Sequence, residues 1–175
     1  MGSFLGTPAP KTFADQLRRN GLGPLSLELS LFLPLTLFYL IFVFLLGGIA
    51  HLLLPNLSLS GSTLFFYACL ALCFSAFTQL IYSFAKNAGQ GLLLFTFLGL
   101  FMILFAGGFL PYAFLPDFFS ALTTFLPLGT GLAGLRNAVG GEPALTYSLL
   151  LLLHTGILLG LLIVLSLFRR KEVHQ

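Results

Sequence analysis

Four uncharged apolar runs set what this chain can become: about Leu29 to Leu54, Ser62 to Phe84, Gln90 to Leu110 and Ala144 to Phe168, none of which contains an Asp or Glu. At 1.5 Å per helical residue, each can cross a hydrocarbon core of about 30 Å. The expected fold is therefore an all-α membrane protein with four transmembrane helices. Composition agrees, with 7% charged residues where a soluble domain carries about 25%. The net charge of +3 comes from basic residues beside the spans, so it reports topology and not nucleic acid. Cys69 and Cys73 lie inside the second run at i, i+4, which reads as small packing groups, not a disulfide framework. A removable signal peptide is not expected, because the first apolar run starts only near Leu29 and is too long for one.

Between the last two runs, Phe105 to Glu142 stays apolar but is interrupted by Pro111, Pro116 and Pro127. Proline lacks the backbone donor and clashes with the preceding turn, so no single helix passes through all three. The remaining pieces, about Asp117 to Leu126 and Thr130 to Val139, are too short to span and too apolar for a wet loop. The spacing predicts a re-entrant pair of short helices within 111–141, with proline near each start and Gly140-Gly141 ending the second.

The amino-terminal segment, residues 1–24, reads as cytoplasmic; the transmembrane domain is 25–175. From Thr12 a short amphipathic interfacial helix is predicted, with Phe13 and Leu17 on one face and Asp15, Arg18 and Arg19 around the other, stopped by Gly21, Gly23 and Pro24. Positive side chains stay on the cytoplasmic side. With the amino end inside, Lys11, Arg18, Arg19, Lys86, Arg169, Arg170 and Lys171 are all cytoplasmic, and only Arg136 is outside. Both termini are therefore expected in the cytoplasm and the broken stretch on the outer side. Pro34 is expected to bend the first span, and Gly47-Gly48 to permit a close approach or a second bend. Ala71/Ser75 and Gly156/Gly160 have small-xxx-small spacing, expected to serve packing within the subunit.

The chain carries no Walker phosphate loop, no HExxH, no paired-cysteine metal motif and no Gly-x-Ser-x-Gly elbow. No catalytic or metal site is expected, and any ATP and Mg would be held by another chain. His154, near the middle of the fourth run, is either hydrogen-bonded to another helix or placed on a substrate or proton path. Gln79 has the same two readings. Asp117 and Arg136 suit the start and end of the two short helices, where their charges complement the helix dipole. Together with Pro111, Pro116 and Pro127 they are candidates for an outer gate.

In order and spacing, Gly108-Phe109-Leu110-Pro111, Leu115-Pro116, Leu126-Pro127 and Leu135-Arg136 resemble the carboxyl-terminal part of a type-2 ABC exporter permease, and Phe13 to Glu28 resembles the coupling helix and the approach to the third span of that family. On that alignment the four spans correspond to the last four of six, leaving a fragment, a reduced relative or a chain completed by another as alternatives. The resemblance implies two permease halves, a second copy or a related chain, each docked on an ABC ATPase subunit in the plasma membrane. It makes Phe13, Leu17, Arg18 and Arg19 docking candidates. Spans one to three would line or flank the path, and the re-entrant pair would close its outer end. A phenylalanine-rich interior suits an amphipathic or lipid-like substrate, although lipid-facing aromatics account for those residues equally well. A non-transporting scaffold subunit is the alternative from another class, and an intramembrane enzyme using His154 ranks last for want of a nucleophile or carboxylate partner.

Overall fold

The computed structural model describes residues 24–53, 60–85, 88–106, 126–140 and 142–172. Among these residues every regular element is a helix: α1 Pro24–Leu53, α2 Gly61–Phe84, α3 Ala88–Phe105, α4 Pro127–Val139 and α5 Leu145–Glu172. Three of them are long and apolar enough to cross a membrane, over Phe32–Leu53, Gly61–Phe84 and Leu145–Leu167. α3 is shorter, 18 residues or about 27 Å, and gives way to a turn at Ala106. The predicted amino-terminal amphipathic helix lies outside the described residues, and of the first predicted short helix only Leu126 is described.

Local chemistry explains the helix ends. Pro24 opens α1, where a fixed φ suits the first helical position, and the helix then runs on through Pro34. Ser60 caps α2: its Oγ accepts from the Thr63 amide at 3.3 Å, satisfying one of the donors a helix start leaves unpaired. Pro127 opens α4, three residues before the predicted start, and the helix ends at Val139 as expected. There the Gly140 amide donates to the Arg136 carbonyl at 2.9 Å and the Glu142 amide to that of Asn137 at 2.9 Å.

α2 is the hub, packed against all four other helices. Of the apolar span in α2, 67% is buried, against 11% in α1 and 22% in α5. Most of its buried side chains are aromatic, small or polar, among them Phe66, Tyr67, Cys69, Ala71, Cys73, Ser75, Ala76, Thr78 and Gln79, and Leu70 and Ile81 are buried with them. The large apolar side chains of the periphery point outward, among them Leu33, Phe38, Ile41 and Phe42 on α1 and Leu93, Phe97 and Leu100 on α3. In lipid, hiding leucine brings no hydrophobic gain, so small and polar residues are enriched at the helix contacts, beside a few buried leucines such as Leu70 and Leu151.

Ala71 and Ser75 are fully enclosed, as their spacing predicted. The same expectation is wrong for Gly156 and Gly160. A methyl group added at either would meet nothing within 4 Å, because that face of α5 looks away from the other described helices. Gly47, by contrast, does mark a close approach: a methyl group there would stand 2.5 Å from Cε2 of Tyr67, while Gly48 faces open space. Both cysteines are free and buried, as small packing groups.

Candidate functional site

The polar groups inside the bundle gather on α2 and reach two neighbours. On the α1 side, Thr36 Oγ1 lies 2.9 Å from Ser75 Oγ and Tyr39 Oη 2.7 Å from Thr78 Oγ1. Ser75 spends its single proton on the Leu72 carbonyl at 2.8 Å, so in the first pair Thr36 donates and Ser75 accepts. α1 and α2 are antiparallel neighbours, yet Tyr39 reaches a residue further along α2 than Ser75. Helical side chains lean toward their own amino terminus, which carries a long tyrosine in that direction.

On the α5 side, Cys73 lies beside Thr155, whose Oγ1 donates to the Leu151 carbonyl at 2.8 Å. Fully buried Ser148 donates in the same way to the Ala144 carbonyl at 3.0 Å. These back-bonds let hydroxyls sit in an apolar interior at little cost, because the helix's own carbonyls accept from them.

Of the two path candidates, Gln79 is buried on the polar face of α2 with Ser75 and Thr78. His154 is half-buried on α5, and its Nδ1 lies 2.7 Å from the Leu150 carbonyl of its own helix. The structure does not bring the two together. Thr155, next to His154, meets Cys73, and Gln79 lies six residues further along α2, roughly 9 Å deeper. Of the two readings of the aromatic content, exposure favours the lipid-facing one for Phe38, Phe42, Phe44, Phe65, Phe84, Phe97 and Phe101, which face outward, while Phe32, Phe66 and Phe77 are buried.

α4 is the third part of the site. Its buried stripe is Pro127, Gly129, Thr130, Gly131, Gly134 and Ala138. A methyl group on Gly131 would stand 2.7 Å from Leu70 Cδ1, and one on Gly134 would enter the Phe66 ring and press on Tyr147 Cβ. The stripe therefore lies against α2 and the start of α5. Leu126 and Leu128 pack on the cluster of Phe77, Ile81 and Met102, so α4 starts level with the middle of α2 and ends near its beginning. Pro127 is buried at that start and Arg136 is exposed in the last turn. A cation there complements the helix dipole. Pro111, Pro116 and Asp117, and the docking candidates Phe13, Leu17, Arg18 and Arg19, lie outside the described residues.

Sequence reasoning missed both the hydroxyl pairs and the glycine seat. Each left a faint signal. Thr36/Tyr39 and Ser75/Thr78 repeat one three-residue spacing on consecutive helices, and Gly131/Gly134 put two notches on one face of a short helix.

Comparison with known proteins adds the family. No curated protein and no solved structure matches the chain. The family model described as ABC-2 type transporter matches residues 7–139, from ahead of α1 to the last residue of α4. With three membrane-length apolar helices gathered in one bundle and a match over most of its length, the chain belongs to the ABC-2 type transporter family and is a multi-pass membrane permease.

Proposed function

We propose that this chain forms the substrate path of an ATP-driven exporter and is energised by a separate ATPase subunit that holds the ATP and Mg. The observation that carries this reading is the extent of the family match, which takes in Phe13, Leu17, Arg18 and Arg19 together with α1 to α4. In this reading those four residues dock on the ATPase, a second permease copy or a related chain completes the path, and both termini are cytoplasmic.

The direction of the helices supports four crossings and a re-entrant α4. Cys73 meets Thr155, and Gly134 touches both Phe66 and Tyr147, so α2 and α5 point the same way. Between them the chain then makes one net crossing. α3 supplies it, and α4 runs back toward the side on which α2 and α5 begin. In this reading Pro111, Pro116, Asp117 and Arg136 belong to the outer end of the path, whereas Pro127, an outer-gate candidate from the sequence, sits buried at mid-depth where α4 starts, with Gln79 and His154 at two depths along the path.

The test is purification of the chain from its native membrane in mild detergent, with co-purifying proteins identified and ATP hydrolysis assayed. Recovery of an ATPase carrying a Walker loop, lost in R18E/R19E, is the expected result. Recovery of an intact membrane complex with no ATPase would replace this reading with that of a scaffold subunit.

A further inference from the structure

Two helices rest on α2 in different ways. α4 is keyed: Phe66 and Leu70, four residues apart on α2, enter the notches at Gly134 and Gly131, three apart on α4. The pairing is antiparallel, and it has one register. Sliding α4 by one turn in one direction brings Ala138 to Phe66 and Leu135 to Leu70; in the other it brings Thr130 to Phe66 and Pro127 to Leu70. Each of these puts a side chain where there is no room for a methyl group. Tyr147 closes the same notch from α5, and Phe66 at its centre is 0% exposed.

α3 is held otherwise. Near its start a methyl group on Gly91 would enter the Tyr82 ring, which fixes that end beside the short turn from α2. Beyond it the contact consists of Met102, Phe95 and Leu98 against Phe77 and Ile81. No notch occurs there, since Gly99 faces open space. Methionine and leucine side chains repack readily, so this surface tolerates displacement where the glycine seat does not.

Resting on the permease reading above, we propose that Phe66 and Leu70 act as positioning residues that lock α4 onto α2 and α5 as one rigid body, and that the element displaced during the transport cycle is α3, turning about its Tyr82–Gly91 contact. α4 is on this account a fixed wall against which α3 moves. Cyclic motion belongs to surfaces with more than one arrangement, and of the two helices compared it is α3, with no notch beyond Gly91, whose surface allows this.

The experiment measures spin-label distances in the full chain with its partner ATPase in lipid nanodiscs, nucleotide-free and trapped with ATP and vanadate. Labels go on exposed positions, L64C/V139C for α2 to α4 and L64C/L104C for α2 to the far end of α3; the native cysteines are buried. The expected result is an unchanged 64–139 distance and a shifted 64–104 distance. A shift in 64–139, or stillness in both, overturns the proposal.

Absence of any ATPase partner would instead count against the permease reading, and the lock is then tested in the chain alone. There G134V should broaden the 64–139 distribution and leave 64–104 as it was, and F66A should restore it in the double variant. Failure of that restoration overturns the lock by itself.

Discussion

Around Thr36 and Tyr39 α2 meets α1 through hydroxyls, whereas it meets α4, and α1 again at Gly47, through glycines, and the two kinds of contact obey different physics. The α1 contact is attractive: Thr36 with Ser75 and Tyr39 with Thr78. A hydrogen bond between helices in lipid averages only about 0.6 kcal/mol, because the separated helices find other partners. The α4 contact is exclusive chiefly at Gly134, where an added methyl group would enter the ring of fully buried Phe66 and press on Tyr147 Cβ, with Gly131 meeting the end of Leu70 beside it. Attraction biases a register, whereas exclusion forbids the others. The difference teaches that the strongest specificity in this bundle resides where side chains are missing.

Substitution in the glycine seat is the strongest way to break that comparison. Gly134→Leu drives a branched side chain into the Phe66 ring and should cost about 3 kcal/mol or more, at the upper end of overpacking penalties. Unfolding in mixed micelles would register it as a large loss of folded fraction. Gly47→Ala comes next, at about 1–2 kcal/mol, because its methyl group would stand 2.5 Å from a Tyr67 ring that is itself buried. Its neighbour supplies the control: Gly48→Ala faces open space and should be neutral or stabilise by up to about 1 kcal/mol through helix propensity. If the two alanines behave alike, the notch at Gly47 has no energetic weight.

The hydroxyl side predicts smaller effects. Thr36→Val and Ser75→Ala should each cost about 0.6 kcal/mol, and a double-mutant cycle should return a coupling of similar size. A coupling of several kcal/mol would erase the contrast between attraction and exclusion. Smallest of all, Gly156→Ala and Gly160→Ala should leave the stability of the isolated chain unchanged or slightly raised, as circular dichroism on heating would show.

The sequence revealed how far the helices extend but not which way they face. Uncharged length located α1, α2 and α5, and proline located the start of α4. Facing was hidden because a helix in lipid is apolar on every side, so hydropathy carries no inward signal. Ala71/Ser75 and Gly156/Gly160 look equivalent on paper. One pair is enclosed and the other looks outward. Phe66 and Phe97 are likewise the same residue in similar runs, one at the centre of the α4 seat and one among the most exposed side chains. The burial of Gln79 and the position of Arg136 in the last turn of α4 suit their chemistry, as their residue types suggest. Phe66 and Leu70 were not legible, since their role depends on glycines more than fifty residues away, and Tyr147 was not, since its contact with Gly134 depends on how α4 and α5 fold together.

The central position of α2 also bears on how the protein is made. It is the least apolar of the three membrane-length helices and the most enclosed. When Phe84 leaves the ribosome, α1 is already present and Thr36 and Tyr39 can meet Ser75 and Thr78. Thr155, the α5 partner of Cys73, and Tyr147, which closes the Phe66 notch, belong to a helix that begins only at Leu145. Until that helix is synthesised, one flank of α2 faces lipid or a chaperone. The newborn chain is thus most vulnerable between its second and its last membrane helix, and a ribosome stalled in that interval would leave the hub of the bundle half built.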